Sequence, residues 1–122
     1  SLANFYAGNI YLRQGEYKKA IEHLSAYKGE DKILAQQTKA LIGDAYVELG
    51  QLDKAISNYK DAAKSNNVMT TPFILLKLGQ VYEMQKNNTE ALNCYKRIKT
   101  EFPASQEYRE IEKYISRLEN LQ

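Results

Sequence analysis

A single arrangement of small, apolar and aromatic positions returns three times along this chain. Gly8-x-x-Tyr11 recurs as Gly43-x-x-Tyr46 and again as Gly79-x-x-Tyr82. Nine residues after each tyrosine stands an alanine: Ala20, Ala55 and Ala91. An apolar residue follows each (Ile21, Ile56, Leu92), and a large one lies three further on (Leu24, Tyr59, Tyr95). The copies are 35 and then 36 residues apart. A repeat of that length marks stacked helical hairpins, none of which buries its apolar face alone.

The residues between the apolar runs predict where helices start and stop. A first helix over about Leu2–Gln14 breaks at Gly15, and its partner, about Tyr17–Tyr27, ends at Gly29. Asp31 is placed to cap a third helix, which runs to Leu49 and stops at Gly50. A fourth covers about Leu52–Lys64 and runs out in Ser65-Asn66-Asn67. Thr71-Pro72, a capping hydroxyl before proline, starts a fifth that reaches about Gln85. Asn87-Asn88-Thr89 turns the chain into a sixth, which Phe102-Pro103 ends after Glu101. Ser105 caps a seventh, with Tyr108, Ile111, Ile115, Leu118 and the polar Gln122 at three-four spacing.

Composition narrows the function classes. The 122 residues suit one domain, with 43% hydrophobic and 26% charged residues. Seventeen basic and 15 acidic residues are interspersed, so no clustered basic face points to nucleic acid. The one cysteine, Cys94, excludes an intrachain disulfide and reads as a small buried hydrophobe. The longest purely apolar run is Phe73-Ile74-Leu75-Leu76, so no membrane insertion by this segment is expected. The chain opens already in helical register, without an initiator Met, and reads as a fragment of a longer protein.

The repeat needs small residues where two helices cross closely. Gly8, Gly43 and Gly79 are expected to supply them in the first helix of each pair, and Ala20, Ala55 and Ala91 in the second. A mid-helix glycine costs about 1 kcal/mol against alanine, so three at one register imply a steric benefit. Tyr11, Tyr46 and Tyr82 are expected to fill the space between hairpins.

These residues resemble the tetratricopeptide repeat, which places small residues at its eighth and twentieth positions and aromatics near its eleventh and twenty-fourth. The second unit matches best, in Ile42 to Gly50 with Ala55, Ile56 and Tyr59. Asn4 and Lys39 depart from the family's large fourth residue, and Lys86 replaces the turn glycine of Gly15 and Gly50. The resemblance implies an all-α, right-handed solenoid of three hairpins plus a C-terminal capping helix. Its units would be residues of about 1–34, 35–70 and 71–104, with the last helix at about 105–121, in a single domain 1–122.

The resemblance also implies a concave groove lined by the first helix of each unit. Its inward positions fall on Leu2, Phe5, Asn9, Leu12 and Arg13; on Gln37, Ala40, Asp44, Val47 and Glu48; and on Phe73, Leu76, Gln80, Glu83 and Met84. Apolar anchors beside the acids Asp44, Glu48 and Glu83 predict an extended or helical peptide ligand carrying some positive charge. An alternative packs Phe5 and Phe73 against upstream units or the last helix. A family clamp for C-terminal carboxylates would use Phe5, Asn9, Leu41, Phe73 and Lys77; only Asn9 and Lys77 suit it, so that ligand is not expected.

Candidate chemistry is sparse, and neither an enzyme nor a cofactor is expected. The single histidine, His23, leaves no zinc pair and no nucleophile–base constellation, and is expected to be partly exposed. Asp44 and Glu48 have acid-pair spacing but read as a charged rim. Asn87-Asn88-Thr89 matches a glycosylation acceptor, a pattern too short to use. Two functions are left: a scaffold docking a protein or peptide in the groove, and a module forming homo-oligomers through its terminal helices, by the last helix's apolar stripe or the open first unit. The run Phe102-Pro103-Ala104-Ser105, with the helix after it, is similar to repeat endings in bacterial envelope proteins. It favours that location, on the periplasmic side with an upstream anchor, over the cytoplasm.

Overall fold

Breaks in the apolar pattern become helix ends. The structure, a computed structural model, describes residues 1–121. Among them it forms seven helices and no strand: α1 (Leu2–Arg13), α2 (Tyr17–Ser25), α3 (Lys32–Glu48), α4 (Leu52–Ala63), α5 (Thr71–Met84), α6 (Asn88–Glu101) and α7 (Tyr108–Glu119). Gln122 lies outside the described residues. The chain divides into two compact units, Ser1–Ser65 with α1 to α4, and the residues from Asn66 onward with α5 to α7. Within them α1 packs on α2, α2 on α3, α3 on α4, α5 on α6 and α6 on α7.

The first helix of each pair stops in the same way. Gly15 (φ +78°) and Gly50 (φ +74°) adopt the left-handed conformation, as does Lys86 (φ +61°), where no glycine stands. The next residue then donates its N–H to the repeat tyrosine's carbonyl at 2.9 Å: Glu16 to Tyr11, Gln51 to Tyr46, Asn87 to Tyr82. The left-handed residue itself donates to Leu12, Val47 or Glu83. Two carbonyls of the last turn accept these N–H groups at each end, which is the Schellman arrangement.

Starts are more varied. The Asp31 carboxylate accepts from the N–H groups of Ile33 (2.9 Å) and Leu34 (3.0 Å), as its position implied. The Ser105 hydroxyl accepts from Tyr108 N–H at 3.1 Å. Thr71 does not cap α5 as expected: it lies inside the helix, and its hydroxyl accepts from the N–H of Asn67 at 2.9 Å. Asn67 closes that turn by accepting from the N–H groups of Met69 and Thr70. Gly29 does not stop α2, which ends at Ser25. A Cβ there would lie within 2.0 Å of the Tyr27 hydroxyl, so the glycine instead makes room for that ring.

The three mid-helix glycines have a common reason. A Cβ on Gly8 would lie 2.5 Å from Leu24 Cγ, one on Gly43 2.6 Å from the Tyr59 ring, and one on Gly79 2.3 Å from the Tyr95 ring. The large residue of the second helix therefore lies directly on the bare backbone of the first. Ala20, Ala55 and Ala91 are fully buried beside it.

α7 covers unit 2. Ile111, Ile115 and Leu118 are 0%, 5% and 1% exposed, so the last helix presents no open stripe of these residues for self-assembly. Its polar flank forms exposed ion pairs with α6, Lys99 to Glu112 and Lys96 to Glu119, which solvent screens.

Candidate functional site

The open face of each first helix follows one spacing. Positions four, three and four residues apart share a helical stripe. On α1 these are Leu2, Tyr6, Asn9 and Arg13; on α3 Gln37, Leu41, Asp44 and Glu48; on α5 Phe73, Lys77, Gln80 and Met84.

In unit 1 the stripe is mostly polar on α3 and mixed on α1. Asn9, Gln37 and Asp44 are half-buried, while Arg13 and Glu48 are exposed. Asp44 accepts a short hydrogen bond, 2.5 Å, from the Tyr59 hydroxyl. Burial first, then that bond and the charges of Asp44 and Glu48, push the Tyr59 phenol far above its usual range, so it stays a donor. Phe5 does not line an open wall. It is 7% exposed and packs with Ala20, Leu24 and Ile42, its ring 6.0 Å from that of Tyr27. Ala40, one unit on, is likewise buried, and Leu12 rests half-buried on the same cluster. The fifth position points into the hairpin and the sixth points out: Tyr6, which the sequence reading passed over, is 57% exposed.

Unit 2 carries the apolar anchors. Phe73 and Met84 are 50% and 59% exposed at the two ends of the α5 stripe, separated by three turns, or roughly 16 Å. Gln80 is exposed between them, and the Lys77 ammonium lies 4.5 Å from the centre of the Phe73 ring. Phe5 is covered within unit 1 by Ala20, Leu24 and Ile42, whereas Phe73 keeps half of its surface exposed. Leu76, at the fifth position, is half-buried beside the stripe.

Glu83 belongs to a closed network. Arg117 of α7 grips its carboxylate with both guanidinium N–H groups, at 2.7 and 3.0 Å, and the Tyr95 hydroxyl donates to it at 2.5 Å. Arg117 above all, with help from Tyr95, holds the Glu83 carboxyl below its ordinary range, against the opposing effect of burial. Burial and the Glu83 bond push the Tyr95 phenol up. Of the three acids expected to form a strip, Glu83 is thus paired with Arg117, and Asp44 and Glu48 lie on the stripe of α3. No local pattern links Glu83 to Arg117, which lies 34 residues away.

Cys94 and His23 both pack among neighbouring side chains. Cys94 is buried, as its helical position implied. His23 is half-buried, with its ring stacked on Tyr11 at 5.2 Å and Nδ1 3.3 Å from the Asn4 amide oxygen. Among the described residues no cluster of His, Cys, Asp and Glu is arranged to hold a metal ion, and no helix is long and apolar enough to cross a membrane.

A family model described as tetratricopeptide repeat matches residues 1–32 and 41–105. No curated protein matches the chain.

Proposed function

The chain belongs to the tetratricopeptide repeat family, and from that premise we propose that it is a non-catalytic scaffold docking a protein segment on the open stripes of its first helices. Repeats of this family generally mediate protein–protein interaction. The observation that carries the reading is the α5 stripe, where two large apolar side chains stay half-exposed at either end of a polar centre. Exposed apolar groups spaced along a polar helix face suit a peptide that seats alternate side chains and leaves its backbone to amides such as Gln80. A spacing of roughly 16 Å corresponds to about five residues of extended chain. A ligand of unit 1 would meet the exposed Glu48 on α3, whereas Glu83 of unit 2 is already neutralised by Arg117.

The test compares the native chain with a Glu48→Ala, Phe73→Ala, Met84→Ala variant as bait against lysate of the source organism. All three side chains are exposed, so the variant should keep the native melting curve. A partner held by the native chain and lost by the variant supports docking on these stripes. Equal recovery of every bound protein by both baits overturns it.

A further inference from the structure

We propose that Met69 and Met84 form a reversible oxidation switch on the α5 stripe, an inference that rests on the docking reading above. A peroxide-class oxidant converts both thioethers to sulfoxides and releases the docked segment, and a thiol-dependent reductase restores it.

The chain contains three sulfur atoms, in Met69, Met84 and Cys94. Cys94 is buried, whereas Met69 and Met84 are 82% and 59% exposed. Methionine ordinarily fills irregular gaps in a core, and neither methionine of this chain does so. Sulfur is what mild two-electron oxidants attack in a protein, and susceptibility follows exposure. The reactive positions therefore lie outside the core, where modification leaves the packing intact.

Both methionines also lie on one line. Met84 ends the α5 stripe, and Met69 stands four residues before Phe73. The turn ahead of α5 carries the helical path back to it: Thr71 N–H donates to the Asn67 carbonyl at 2.9 Å, the i to i−4 bond of a helix. The Asn67 side-chain oxygen accepts from Met69 N–H at 2.9 Å, which fixes the backbone there. The stripe thus reads Met69, Phe73, Lys77, Gln80, Met84, at intervals of four, four, three and four. The half-exposed Phe73 ring is bracketed by the two oxidisable side chains of the protein surface.

In the reaction the thioether sulfur attacks one oxygen of hydrogen peroxide. An S–O bond forms, the O–O bond breaks, and the departing hydroxide takes the proton of the transferred oxygen and leaves as water. Methionine is oxidised by two electrons and the peroxide reduced by two. Reversal uses two thiols, which become a disulfide as the sulfoxide oxygen leaves as water. A sulfoxide is polar, so covering it with an apolar ligand side chain and no hydrogen bond is costly.

The bait is the native chain, treated with hydrogen peroxide and freed of it before meeting lysate of the source organism. Peptide mass spectrometry should show an added oxygen at Met69 and at Met84 and none at Cys94, at rates close to that of N-acetylmethionine amide. The melting curve should stay native. Recovery of the partners that the Glu48→Ala, Phe73→Ala, Met84→Ala variant loses should fall by about tenfold or more. Dithiothreitol with methionine sulfoxide reductases for both epimers should remove the oxygens and restore recovery. A methionine that resists the oxidant, a lowered melting curve, or equal recovery by oxidised and native baits overturns the switch and leaves docking standing. A native chain that holds no partner lost by the triple variant overturns docking, and the switch with it.

Discussion

Replacing Gly43 with alanine sets two effects of known size against each other. In an isolated helix the change is favourable by about 1 kcal/mol, because alanine gives up less backbone freedom on folding. Here the new methyl would stand 2.6 and 2.7 Å from two carbons of the Tyr59 ring, against a comfortable carbon–carbon separation of roughly 3.5–4.0 Å. The ring must retreat by about 1 Å, but it is 2% exposed and its hydroxyl is tied to Asp44. Overpacking of this kind costs about 1–3 kcal/mol, and the poor room for relaxation favours the upper part of that range. Subtracting the helical gain leaves a net loss of about 1–2 kcal/mol. Urea unfolding followed by circular dichroism measures it as a lower midpoint at unchanged slope. Gly50 is the control: nothing lies within 4 Å of its Cβ position, and only its φ of +74° demands glycine. Asparagine tolerates that conformation, so Gly50→Asn should lose less than about 1 kcal/mol. A Gly43→Ala protein as stable as the native chain, or more so, refutes the claim that the ring dictates the glycine.

Two further outcomes follow from the same geometry. Lys86→Gly should stabilise the chain by about 0.5–1 kcal/mol, because it relieves a left-handed non-glycine residue; an unchanged or lower urea midpoint counts against that strain. Glu83 has its folded pKa lowered, so the stability it contributes is present above the ordinary carboxylate pKa and is lost as pH falls through the folded value. The stability advantage of the native chain over Glu83→Gln should therefore shrink between about pH 6 and about pH 3, and a constant gap across that window refutes the Arg117 assignment.

Much of this molecule is local chemistry and was readable from the chain. Helix ends depend on a handful of neighbouring residues, so Gly15, Gly50, Asp31 and the Phe102-Pro103 break predicted them closely. The 35- and 36-residue period identified the hairpin class, because a pattern returning at that interval marks one supersecondary unit that stacks on the next. Even the exceptions at Thr71 and Gly29 were local: a nearby Asn67 closed the turn better, and a tyrosine ring needed the space.

The surface was decided by tertiary structure. Period alone could not say whether the fifth or the sixth residue of α1 faces outward, since both border the apolar stripe, and the partner helix settles which one is covered. Phe5 went into the core and Tyr6 to solvent. Charge was redistributed in the same way. Three acids of equal standing in the sequence became two that remain on the open stripe of α3 and one held by an arginine from α7. The choice between open and covered depends on contacts made across tens of residues, and these exist only once the helices have packed.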